Sequence, residues 1–482
     1  MSQKVAELAP KALWEAFSQL NAVPRPSKKE EAVSAFMREY VSKLGLVAEE
    51  DEVGNILVRK PATAGLENRP TILLQSHLDM VHQKNADTDF DFLSQGIEMY
   101  VEGDWVKAKG TTLGADNGIG VAAIMALLAS SDIPHPPLEA LFTIDEETGM
   151  TGALGLGPNW LKSDYLLNLD TEDDKELTIG CAGGVDISVA GSYTPMALAK
   201  EEDLALKISL KGLSGGHSGM DIIKGLGNAN LLLARVLRAL SPLSLAQFDG
   251  GGLRNAIPRE AWAIVVLPKA EAAQYKEQLA ALEAELKAEY ASTDPSLSLT
   301  AEEVALPAIK LGEAEQKALL SAVLATPNGI FRMSPEIEGL VQTSNNLARL
   351  LVKNGEYTVL CLCRSSVDTE KWALAESIQG LYELLGADTQ LSGSYPGWEP
   401  LPASSLVDQM RQFFLDRFEE EPDVNACHAG LECGILGRHY PKMQMISFGP
   451  NIRGAHSPDE RVQISSVQKF WAYLLDALGQ LK

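Results

Sequence analysis

His77 and Asp79 stand two residues apart in the run SHLD, directly after the apolar stretch Thr71–Gln75. Extended chain puts such residues on the same side. A carboxylate beside an imidazole fixes the ring tautomer that binds a metal. Acids close three further elements. Asp116 lies in GADNG before the helical pattern Asn117–Ala129, Glu146 and Glu147 follow Leu138–Ile144 in DEETG, and Asp170 ends Tyr165–Leu169 in LNLDTE. One acidic strand end is commonly a solvated loop, and two adjacent glutamates are an ordinary acidic turn. Four such termini in succession are not ordinary. Oxygen and imidazole ligands without thiolate suit zinc, manganese or cobalt, and two neighbouring ions need a carboxylate to bridge them.

The elements that must position these groups alternate. Lys11–Leu20 and Lys28–Leu44 have helix-period apolar residues, whereas Ile56–Val58, Thr71–Gln75, Leu138–Ile144 and Tyr165–Leu169 read as strands. The interleaving predicts an α/β layered sheet with helices on both faces, in which function collects just beyond the strand ends. Near Gly191 the character changes. Leu204–Leu210 and Ala263–Leu267 read as strands around the amphipathic helix Gly227–Leu240, and Ala270–Tyr290 as a charged helix. Gly393–Pro402 (GSYPGWEPLP) reads as a linker. The helices Ser405–Arg417 and Val467–Leu478 and the strand Met443–Phe448 then return to the first domain. The expected division is 1–190 and 393–482 for the catalytic domain and 191–392 for an insertion.

At 482 residues the chain exceeds one ordinary core. Its 45% hydrophobic and 22% charged content excludes intrinsic disorder. A net charge of −24 argues against a nucleic acid or an anionic membrane as partner. Five scattered cysteines with no CxxC make neither a disulfide framework nor a thiolate zinc site, and Cys361 and Cys363 read as core residues of one strand. The first residues lack a secretory apolar region, and the longest nearly apolar run, Gly120–Ala129, is too short for a membrane span. The expectation is a soluble, cytoplasmic protein.

SHLDM, GADNGIG, IDEETGMTGA, LNLDTED, GLSGGHSG, GLRNAIP and GAHSPDE, in this order, resemble the dinuclear metallopeptidase family of carnosinases and glutamate carboxypeptidases. The resemblance runs from about His77 to Glu460. It implies a mixed-sheet, zinc-peptidase-like α/β catalytic domain interrupted by an α+β lid. It also implies two divalent ions, zinc first, with manganese or cobalt as the other fitting metals. Asp116 would bridge the ions, His77 and Asp170 would complete one site, and Glu147 and His456 the other. Glu146 would be the general base for a metal-bridged water, and Asp79 would orient His77. A cis peptide bond would follow Asp116. Many relatives have Asp-x-Lys-Gly where this chain has Asp116-Asn117-Gly118, which points to the dipeptidase branch. The implied reaction is hydrolysis of small dipeptides, Xaa-His including β-Ala-His. A tripeptidase or an N-acyl amino-acid deacylase is the nearest alternative, and a metal-binding, peptide-binding protein the non-enzymatic one. Members of the family occur as monomers and as homodimers.

Four further residues are placed at the substrate. His217, between glycines in GLSGGHSG, matches an oxyanion donor. Asn255 in GLRNAIP matches a substrate-binding asparagine. Arg364 in CRSS would clamp the dipeptide carboxylate through its bidentate fork, and His428 in CHAGLEC would lie near the substrate side chain. A rival reading is the serine-hydrolase elbow, because Gly212–Gly216 also fits G-x-S-x-G around Ser214. It needs a helix immediately after the serine, and the glycines that follow are poor helix starters.

Overall fold

Parallel strands covered on both faces read as unbroken apolar runs, and Ile72–His77, Leu138–Thr143 and Tyr165–Asn168 are buried along their whole length. The computed structural model describes residues 2–198, 202–240 and 242–482. It divides into two compact units, Met1–Gly180 with Trp398–Ala426 and Leu431–Lys482, and Cys181–Gly397 with Cys427–Gly430.

The first unit is built on an eight-stranded sheet in the order Ala48–Glu50, Ile56–Lys60, Leu138–Thr143, Ile72–His77, Tyr165–Asn168, Gln444–Ser447, Glu176–Cys181, Asp423–Cys427. The four strands from Leu138–Thr143 to Gln444–Ser447 run parallel. Register pairs His77 with Thr143 and Gln75 with Asn168, so the chain leaves three of these strands at one edge. The helix Ala115–Ala129 is buried almost throughout and packs against Ile72–His77. Its first residues are not helical: Asp116 has φ −81, ψ 111 and Asn117 φ −104, ψ 30. A four-stranded antiparallel sheet, Ile452–Arg453, Arg461–Gln463, Trp105–Ala108, Met99–Glu102, carries at one turn the segment with His456 and Glu460. Among the described residues no helix is long and apolar enough to cross a membrane.

In the second unit a sheet orders Ser298–Val304, Asp203–Lys211, Ala261–Pro268, Ser244–Gly251, Val341–Lys353, Glu356–Ser365, Gly183–Ser192 and Asp388–Tyr395, with Gly329–Met333 beside Val341–Lys353. The helices Ala229–Ala239, Glu313–Ala325 and Asp368–Glu383 bury Leu233, Leu237, Val323, Ile378 and Tyr382 in one core with Phe248 and Leu347 of the sheet. Cys361 and Cys363 belong to that core.

Three expectations shift. The changeover falls at Gly180/Cys181 and Gly397/Trp398, not at 190/191 and 392/393, because Gly183–Ser192 pairs along its length with Glu356–Ser365 and also with Asp388–Tyr395. Gly393–Pro402 is no free linker, since Tyr395 ends a strand and Trp398 is buried. The second helix starts at Glu31 rather than Lys28, whose φ of 66 is incompatible with a helix.

Candidate active site

The buried strand Ile72–His77 ends on the imidazole itself, with the His77 ring 1% exposed. Its Nδ1 lies 3.3 Å from Asp79 Oδ1, as the spacing predicts. The other ring nitrogen, Nε2, stands 3.2 Å from Asp116 Oδ1 and 3.5 Å from Asp170 Oδ1. Asp116 turns its second oxygen the opposite way, with Oδ2 3.3 Å from His456 Nε2, which also lies 3.1 Å from Glu147 Oε2. One carboxylate thus faces two ligand groups, His77–Asp116–Asp170 and Asp116–Glu147–His456. Glu146 Oε2 stands 4.0 Å from His77 Nε2. The Asp116–Asn117 peptide bond is cis. Asn117 Nδ2 donates to the Leu169 carbonyl at 2.9 Å and to Asp170 Oδ1.

The glycines of GADNGIG make room for this packing. A Cβ on Gly118 would stand 2.6 Å from Arg25 Nη2, and one on Gly120 would collide with Asn117 Oδ1 and Ser76 Oγ. Arg25, fully enclosed, donates from Nη1 to the Leu78 and Asp79 carbonyls at 3.1 and 3.0 Å and from Nη2 to the Gly114 carbonyl. Glu432 accepts from Gln75 Nε2 and Thr143 Oγ1 at 2.6 Å each, just behind the strand ends, and burial pushes its carboxyl up to about 7. Residue type and spacing single out none of these supports. Glu432 and Glu460 lie inside the motifs CHAGLEC and GAHSPDE, whereas Arg25 sits in a loop with no pattern to flag it.

The electrostatics call for positive charge. Burial raises Glu146 well above the usual carboxylate range, and also raises Glu147 and Asp170. Burial would raise Asp116 too, but hydrogen bonds from His456 and His77 outweigh it and hold it low. Hydrogen bonds to Asp116 and Glu147 drive His456 up to about 11. Among the described residues Glu147 Oε1 is buried with no hydrogen-bond partner. Carboxylates and imidazoles this close, with an oxygen left over, are the donor chemistry of divalent ions.

The other four residues lie in the second unit. His217 pairs with Ala256 in a two-residue ladder, beside Asn255, whose carbonyl accepts from Ser218 N–H at 2.7 Å. The Asn255 side chain is exposed. His217 Nδ1 accepts from Gly219 and Met220 N–H at 3.2 and 3.1 Å, which assigns the ring proton to Nε2 and makes that atom a donor. Arg364 lies within the strand Glu356–Ser365. It is buried, with Nη1 donating to the Tyr395 hydroxyl at 2.9 Å and Nε without a partner. His428 Nε2 is 2.7 Å from Ser344 Oγ, and burial, then the Arg364 charge, lowers it to about 3. The serine-hydrolase reading fails. Ser214 Oγ donates to the Thr293 carbonyl at 2.7 Å, and the strand Gly216–His217 follows it where an elbow needs a helix.

Known proteins agree. Residues 73–480 match the model of peptidase family M20/M25/M40. Cytosol non-specific dipeptidase of Escherichia coli (strain K12) is 42% identical over 481 residues, 99% of both chains. The crystal structure of aminoacylhistidine dipeptidase from Vibrio alginolyticus superposes with a TM-score of 0.91 at 43% identity, covering 100% of this chain and 99% of that one. Human carnosine dipeptidase 1, at 12% identity and a TM-score of 0.51, covers 100% of both chains and shares the fold. Sequence motifs, parallel-sheet architecture and full-length relatives converge: the chain belongs to peptidase family M20/M25/M40.

Proposed function

We propose that this chain is a metal-dependent dipeptidase acting on Xaa-His dipeptides, β-Ala-His among them, in the cytosol. The observation that carries the reading is the placement of Asp116, with one oxygen toward His77 and the other toward His456. His77, Asp116 and Asp170 would hold one divalent ion, and Asp116, Glu147 and His456 the other, zinc first and manganese or cobalt as substitutes. Such ions polarise the scissile carbonyl and acidify water. Glu146, beside the set, takes the proton of the attacking water on its carboxylate and returns it to the leaving amine. Asp79 fixes the His77 ring and so the nitrogen it presents.

Residues of the second unit would supply substrate contacts. Nε2–H of His217 suits a developing oxyanion. The buried Arg364, with an unpaired Nε, suits the C-terminal carboxylate of a short peptide, with Asn255 and the neutral His428 as further contacts. A clamp on that carboxylate restricts length to dipeptides, and a single chain or a homodimer fits this scheme equally. The full-length identity to proteins named dipeptidases supports the substrate class. The test is metal-reconstituted hydrolysis across dipeptides, tripeptides and N-acetyl amino acids. Fastest turnover on Xaa-His dipeptides is expected, and faster cleavage of acetylated amino acids or tripeptides overturns the assignment.

A further inference from the structure

Glu460 is a buried carboxylate that takes no part in the ligand groups, and both its oxygens are used on backbone. Oε2 accepts from Leu113 and Gly114 N–H at 2.7 and 2.9 Å, and Oε1 from Ala115 and Asp116 N–H at 2.7 and 3.3 Å. Four successive backbone N–H groups therefore converge on one side chain, an arrangement that makes charge-assisted hydrogen bonds and defines an anion nest. The last of the four belongs to the carboxylate that faces both ligand groups. On the opposite side of the same loop, Arg25 holds the Gly114 carbonyl while reaching the Leu78 and Asp79 carbonyls next to His77.

Glu460 also shares a turn with His456, between the strands Ile452–Arg453 and Arg461–Gln463. His456 sits on that turn with φ 63 and a side chain 55% exposed, and the turn is closed by Ser457 N–H on the Gly454 carbonyl at 3.2 Å and Glu460 N–H on the Ser457 carbonyl at 3.1 Å. The Glu460 side chain ties the His456 turn to the Asp116 loop, the two segments that must meet for the Asp116–Glu147–His456 group to exist. A buried carboxylate next to Asp116 is electrostatically unfavourable, and the four N–H donors and the Arg25 guanidinium partly offset it.

We propose that Glu460 is a positioning residue that sets the affinity of the ion held by Asp116 and His456, with a smaller effect on the His77–Asp170 ion, which shares Asp116 but not the His456 turn. The inference rests on the two-ion reading above. The full-length protein is stripped of metal and titrated with zinc against a competing chelator, beside Glu460→Gln, and the melting temperature of each metal-free protein is recorded. Two zinc equivalents are expected for the parent. Glu460→Gln should weaken one of them by about 10–100-fold and the other far less, the usual effect of losing a ligand's support. If Glu460→Gln does not fold, Glu460→Asp, which keeps the charge but is one methylene short, should show the same selective loss at smaller size. A variant that melts lower when metal-free yet binds both zinc ions with parental affinity overturns the proposal and leaves the two-ion reading standing. A parent that binds no zinc overturns both.

Discussion

Asp79 accepts the backbone N–H of Glu146 on Oδ1 at 3.0 Å, and that same oxygen lies 3.3 Å from His77 Nδ1. Its other oxygen accepts the N–H of Glu147 at 3.3 Å. One carboxylate thus orients the His77 imidazole and pins the turn that presents both Glu146 and Glu147. Asp79→Asn sets an amide against an N–H donor or against the ring. Turnover should fall by about 10–100-fold together with weaker zinc binding, measured by steady-state kinetics and chelator competition. Parental values for both would show that Asp79 positions nothing.

Glu146 and Asp116 should separate cleanly. Glu146→Gln should retain bound metal while turnover drops by about 10²–10⁴-fold, the scale of lost acid–base catalysis. Asp116→Ala should lose metal, since it faces both ligand groups. Elemental analysis beside kcat distinguishes them, and near-normal turnover in Glu146→Gln removes it from the mechanism.

His217 and Arg364 should affect different parameters. A contact made mainly in the transition state lowers kcat more than it raises KM, which is the outcome expected for His217→Ala. Arg364→Ala should weaken free dipeptides and spare dipeptide amides, which lack the carboxylate. Equal losses on both substrates would detach Arg364 from the C-terminus.

Burial lowers His428 to about 3, so the folded protein binds it neutral whereas the unfolded chain protonates it near 6.5. Its stabilising contribution is complete above about pH 6.5 and is lost as pH falls toward 3. Near pH 5 the loss is about 2 kcal/mol. Denaturant titrations at neutral and acid pH should show His428→Gln less acid-sensitive than the parent, and equal sensitivity would contradict the burial argument.

Gly120 leaves no space for a side chain: an added Cβ would stand 2.8 Å from the Leu169 carbonyl oxygen and closer still to Asn117 Oδ1 and Ser76 Oγ. Gly120→Ala should therefore cost about 1–3 kcal/mol, the scale of an overpacked core, despite alanine's better helix propensity. A melting temperature at or above that of the parent would show that the loop yields instead.

Periodicity and motif order made much of this legible. The parallel strands announce themselves as largely apolar runs, and His77, Glu146 and Asp170 stand at or just beyond their ends. Pattern missed what depends on packing between distant segments. Arg25 donates to carbonyls 53 to 89 residues away, and Glu460 accepts from N–H groups about 345 residues back, distances no local period encodes. Domain edges went astray for the same reason, since Gly183–Ser192 looks like the end of the first domain until its partner strands are known. The excursion Cys427–Gly430 into the second unit is too short for any composition shift, although Ala182 N–H holds it through the Cys427 and Ala429 carbonyls.

His77 is itself the last residue of a strand buried throughout, and the strands before Glu146 and Asp170 are buried throughout as well. Amide protons in such core strands are expected to be among the slowest to exchange, because core strands open at free energies near that of global unfolding. His77, Glu146 and Asp170 therefore sit at the ends of strands expected to exchange slowest, whereas Asp116 stands on a non-helical stretch and His456 on an exposed turn. Gradual denaturation should leave the placement of His77, Glu146 and Asp170 intact until the first unit unfolds as one, and any inactivation that precedes unfolding should trace to the Asp116 and His456 segments.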